Sequence, residues 1–245
     1  MNGQEPPIGS ERDLFTAVYA GDEDAVVRLL RLGMSPEAVD EDGQTALYAA
    51  AVGDEPGIVR LLLSAGAAPD RLSTGSDLPL CGAACGGHAE VVRALLASGA
   101  APDAMEAFGF TALTWALRCG HAAVAEALLT AGADPNRPGP TGEPPLVTAA
   151  RRGSPACVRS LLAHGAGSRG EALAEARRWT WLDVASELRA GLGRAHGFGG
   201  EYVMRRWAEG VTVELVRDGN VVAGVDQGTG HAEIVAMLEG ALGMG

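Results

Sequence analysis

Residues 111–136 read TALTWALRCGHAAVAEALLTAGADPN. This stretch is one period of a repeat. Leu113 belongs to a column with Leu14, Leu47, Leu80 and Leu146, each 33 residues from the next. Leu128 belongs to a second such column, with Leu29, Leu62, Leu95 and Leu161. Gly132 belongs to a third, with Gly33, Gly66, Gly99 and Gly165. Gly120 shares its place with Gly21, Asp54, Gly87 and Gly153. Several columns kept over five periods are the mark of a repeat architecture.

Each period resolves into two helices. The first is short and carries small residues, as in Ala50-Ala51, Ala83-Ala84 and Ala149-Ala150, which let neighbouring helices approach closely. The glycine after it suits a left-handed helix end. The second helix shows an apolar stripe at helical spacing, as in Val91, Val92, Leu95 and Leu96. A closing glycine follows, and Pro36, Pro69, Pro102 and Pro135 each stand three residues beyond it and bar continuation. Turn signals such as Asp42-Gly43 and Thr141-Gly142 lie between periods. One period cannot bury its own apolar faces, so five in succession predict a stacked, quasi-linear array.

On these residues the sequence resembles the ankyrin repeat family. The motifs are Thr45-Ala46-Leu47-Tyr48-Ala49-Ala50-Ala51, Thr111 to Ala116, Gly87-His88-Ala89-Glu90-Val91-Val92 and Gly132-Ala133-Asp134-Pro135-Asn136. They cover about three quarters of the chain. The pattern departs from the family where its usual first-helix histidine would stand: Tyr48, Cys81, Thr114 and Val147 occupy those places. Leu78 and Pro144 replace the preceding threonine in the third and fifth repeats. The expected fold is an all-α repeat solenoid of helix-turn-helix units with a small C-terminal β-hairpin and helix. Residues 1–10 are expected to be disordered, and 11–190 to form the array, closed by a degenerate repeat over 171–190. Residues 191–200 read as a glycine-rich joint. Residues 201–245 read as a hairpin across Asp218-Gly219 and a terminal helix, docked on the array's end. Trp179 and Trp181 are expected to cover the core. The stretch Gly230 to Leu238 echoes Gly87 to Leu95.

Composition narrows the function. The formal net charge is −12, from 31 acidic and 19 basic residues, all of them arginine. An acidic chain with a pI near 4.8 is a poor match for nucleic acid or anionic membranes. The N-terminus lacks the charged and apolar regions of a signal peptide, and no run is long enough to span a membrane. Four scattered cysteines form no disulfide framework, which points to a reducing, cytoplasmic setting and a monomer.

Cys81, Cys85, His88 and Glu90 crowd into ten residues and raise the possibility of a zinc enzyme. A zinc deaminase needs its cysteines after the His-x-Glu, spaced Cys-x-x-Cys. Here they precede it and are spaced Cys-x-x-x-Cys. His88 has a repeat counterpart in His121, so the expectation is structural histidines, no catalysis, no metal and no cofactor. Cys119 and Cys157 are expected to pack as small apolar side chains.

The resemblance implies a partner protein held on hairpin tips and first helices. By register these positions include Glu41, Asp42 and Tyr48, then Phe108, Phe110, Trp115 and Arg118, then Arg151 and Arg152. The groove is expected to run from acidic to basic along the chain. Three of only 11 aromatic residues fall at one tip, and aromatic and arginine side chains are frequent interface anchors. An alternative is a regulatory subunit whose C-terminal hairpin offers a strand edge.

Overall fold

The computed structural model describes residues 10–208 and 210–243. The expected disorder of the N-terminus falls almost wholly outside them. The chain divides into two compact units, 1–134 and 135–245.

The first unit holds four helix pairs: α1 (Glu11–Tyr19) with α2 (Glu23–Arg31), α3 (Ala46–Val52) with α4 (Pro56–Ser64), α5 (Pro79–Gly86) with α6 (Ala89–Ala97), and α7 (Ala112–Cys119) with α8 (Ala122–Thr130). First helices stack on first helices and second on second. The leucine columns are the reason. Leu14, Leu47, Leu80 and Leu113 are buried, as are Leu62, Leu95 and Leu128. Burying one such side chain stabilises by about 1.5–3 kcal/mol. Short hairpin fingers join the pairs, pinned by single bridges between Val39 and Thr45 and between Met105 and Thr111.

A second column ties the periods through polar groups. The Glu37 carboxylate accepts the N–H of Ala68, Asp70 that of Ala101 at 3.0 and 3.2 Å, and Asp103 that of Asp134 at 3.2 Å. In the second unit Asn136 Oδ1 accepts from Gly167 at 2.7 Å. Each acceptor stands 33 residues after the last, and each bond spans 31.

The second unit opens with α9 (Pro145–Arg152) and α10 (Pro155–Ala163), then α11 (Arg169–Thr180) and α12 (Val184–His196). A three-stranded antiparallel sheet follows, β1 (Glu201–Trp207), β2 (Gly210–Arg217) and β3 (Asn220–Gly228), in that order, and then α13 (His231–Gly243). The expected hairpin is β2 and β3; β1 is an additional strand.

Three readings are corrected. The first concerns the sixth repeat. Its first helix is α11, which packs on α9, but its second helix is α13, which packs on α11 and α10. The register is that of an ordinary repeat. His88 and His121 donate from Nε2 to the carbonyls of Val52 and Cys85, at 3.1 and 3.0 Å. His231 donates to Arg151, two periods beyond Cys85, at 3.1 Å. Gly87 at φ +80° sits against His121, and Gly153 at φ +72° sits against His231 in the same way. Ile234 and Leu238 are fully buried, as Val91 and Leu95 are. Residues 181–229 are therefore an insertion between the two helices of one repeat.

The second correction is to the glycine-rich joint, because α12 runs through Gly191 and Gly193 to His196. Each glycine costs a helix about 1 kcal/mol relative to alanine. Leu192 between them is buried with Val213 and Leu215, and Leu188 and Tyr202 pack against this cluster. That burial offsets the glycine cost and gives the insertion a small core of its own. The third correction is to Trp181, which is 89% exposed and covers no core. Trp179 instead stacks on His231, with centroids 5.6 Å apart.

Candidate docking surface

The sequence places Phe108, Phe110, Trp115 and Arg118 at one tip and the helix behind it, and the structure brings three of them into contact. The Phe110 and Trp115 rings stack at 4.6 Å with 19° between their planes. The Arg118 guanidinium lies 5.3 Å from the Phe110 centroid and 5.8 Å from that of Trp115. Trp115 Nε1 donates to Glu106 Oε2 at 2.9 Å, which fixes the indole. Thr111, at the N-cap of α7, accepts the Thr114 N–H and starts the helix that carries Trp115 and Arg118. Phe108 does not join the stack and stands 81% exposed at the tip.

Tyr48 lies two repeats earlier on α3, against Gly82 of α5, where a side chain would meet its ring at 3.0 Å. Burial, then the nearby Asp77 and Glu106 carboxylates, raises its pKa. Glu41 and Asp42 sit exposed on the first hairpin tip.

Arg151 and Arg152 are committed to partners within the second unit. Arg151 pairs with Glu143 and, at 2.8 Å, with Glu175. Arg152 pairs with Asp226, and its Nη1 donates to the Asp226 carbonyl at 2.6 Å. The expected basic end of the groove is thus neutralised. Its carboxylates come from the tip before α9 (Glu143), from α11 (Glu175) and from β3 (Asp226), and the last lies in the insertion, where register could not reveal it.

Cys81, Cys85, His88 and Glu90 do not form a ligand set. Cys81 is buried, and burial with the Glu106 carboxylate pushes its thiol well above the usual range. Cys85 is exposed, His88 Nε2 is spent on Val52, and Glu90 pairs with Arg93 at 2.6 Å. Among the described residues no group of three His, Cys, Asp or Glu side chains is arranged to hold a metal ion.

A family model for ankyrin repeats (many copies) matches residues 14–63, and one for ankyrin repeats (3 copies) matches residues 58–139. The chain belongs to the ankyrin repeat family. A search of curated proteins returned no match. Ankyrin repeats are generally protein–protein interaction modules and are typically non-catalytic. No described helix is long and apolar enough to cross a membrane.

Glu106 is the residue of this ankyrin surface that register alone passed over. Besides the indole it accepts the Leu78 N–H at 3.3 Å, at the start of a helix whose N-cap makes no side-chain bond. Ser73, one period earlier, accepts the Thr45 N–H at 3.2 Å. The signal lay in the 33-residue column Asp40, Ser73, Glu106, three ankyrin tips with an acceptor in the same place.

Proposed function

We propose that this ankyrin array is a docking module that holds a partner protein on the hairpin tips and first helices of residues 10–134. The observation that carries the reading is Phe108, a large aromatic side chain 81% exposed beside the Phe110–Trp115–Arg118 stack. Exposed apolar rings next to a fixed guanidinium are what a partner buries to advantage. Glu41, Asp42 and Tyr48 extend the surface along the same elements. Four cysteines without the spacing of a disulfide framework favour a reducing, cytoplasmic setting, and the chain acts as a monomer.

Affinity capture with the wild type beside Phe108→Ala and Arg118→Ala tests the reading. Both side chains are exposed, so the variants keep the fold. A partner retained by the wild type and lost by both variants is the expected result. Equal retention by all three places the docking surface elsewhere.

The sheet favours a second reading, a regulatory contact at its edge. The outer strand β1 carries Met204 and Trp207, both about half exposed. Replacing 181–229 with a short linker discriminates the two: partner binding survives under the first reading and is lost under the second.

A further inference from the structure

A groove of about 690 Å³ opens between α1 and the first hairpin tip. This is within the range of roughly 300–1,000 Å³ typical of ligand sites. Phe15 is its buried floor, and the Tyr19 ring lies 6.0 Å from the Phe15 ring with 64% of the residue exposed. Asp40, Glu41 and Asp42 on the tip, and Glu11 on the helix, form its rim. Among the described residues Arg12 is the one cation lining it.

The tip is held in shape. Tyr19 Oη donates to Asp40 Oδ2 at 3.0 Å. Asp40 Oδ1 accepts the backbone N–H of Asp42 at 3.0 Å and of Gln44 at 2.8 Å. A ring and a carboxylate are thus fixed side by side before any ligand arrives.

We propose that this groove binds an arginine side chain of a basic protein segment, with the guanidinium over Tyr19 and within reach of the tip carboxylates. The chemistry selects that occupant. An acidic segment is repelled by the rim. A neutral apolar segment takes water from the carboxylates and gives them nothing in return. A guanidinium is planar, stacks on an aromatic face and presents a fork of donors to a carboxylate. The assignment rests on the docking reading only for the partner being a protein; the groove's own chemistry is tested without that partner.

Fluorescence anisotropy of the full chain with a labelled Arg-Gly-Arg-Gly-Arg peptide is the test, at about 150 mM salt so that diffuse attraction is screened. The same peptide with citrulline in place of arginine removes the charge and keeps the shape. The expected result is binding of the arginine peptide alone, weakened about tenfold or more by Tyr19→Ala and by the pair Glu41→Gln/Asp42→Asn. Glu126→Gln, a remote carboxylate on α8, leaves it unchanged. Equal binding by Tyr19→Ala, equal binding of the citrulline peptide, or equal weakening by Glu126→Gln overturns the proposal. So does concentration-dependent dimerisation abolished by Tyr19→Ala, which makes a second copy the occupant. Loss of a captured partner on Phe108→Ala, by contrast, bears on the docking reading alone.

Discussion

His231 closes the sixth repeat and carries a pH signature. Burial holds its pKa below the ordinary 6.5, against the Arg151 carbonyl and the Glu175 carboxylate, which favour the charged ring. As the pH falls below about 6.5 the unfolded chain takes up a proton that the folded chain resists. The stability this gives is fully present above that value and is lost as the pH falls through the depressed folded one. Denaturant unfolding at about pH 7.5 and 5.5 is expected to show the wild type losing more stability across the interval than His231→Gln, which keeps a donor for Arg151. Equal losses contradict this role for His231. Two further substitutions separate packing from docking. Leu95→Ala, in a fully buried column, is expected to cost about 2–5 kcal/mol. Phe108→Ala is expected to change stability by no more than about 0.5 kcal/mol. Thermal and denaturant melts check both.

At the scale of elements, α7 depends on its cap. Thr111 is buried, and its hydroxyl accepts the Thr114 N–H, so Thr111→Ala is expected to cost about 1 kcal/mol by denaturant unfolding. Helices α5 and α9 start without such a bond and have Pro79 and Pro145 at their first positions, where no N–H is missed. The array's helices were legible because each one repeats a neighbour: a leucine, a glycine and a proline 33 residues apart mark a buried face, a turn and a stop. The insertion has no such second copy. β1, EYVMRRW, follows glycines and carries two arginines, so alternation alone did not mark it as a strand. α12 contains two glycines and holds together through Leu192 against the sheet, a contact made across more than twenty residues of sequence. α13 was legible as a repeat helix through Gly230-His231, but only its packing on α11 shows which repeat it completes. The candidate site divides likewise. The aromatic tip follows from register, whereas the pairs Arg151–Glu175 and Arg152–Asp226 join residues 24 and 74 positions apart.

For the whole molecule, stability is a sum of repeats and their nearest-neighbour contacts, so an insertion between two helices is tolerated if its ends meet. A chain with 181–229 replaced by a short glycine-containing turn is expected to remain folded, with α13 still on α11. Circular dichroism and exchange protection at Ile234 and Leu238 check this, and loss of that protection contradicts the assignment of α13 to the sixth repeat. The function rests on which face of the repeats a partner covers. Hydrogen–deuterium exchange of the full chain, free and saturated with its captured partner, measures this most directly. The account predicts new protection over 104–118, the tip and first helix bearing Phe108 and Arg118, with little change over the second helices. Protection confined to α6 and α8, or to the inserted sheet, contradicts it.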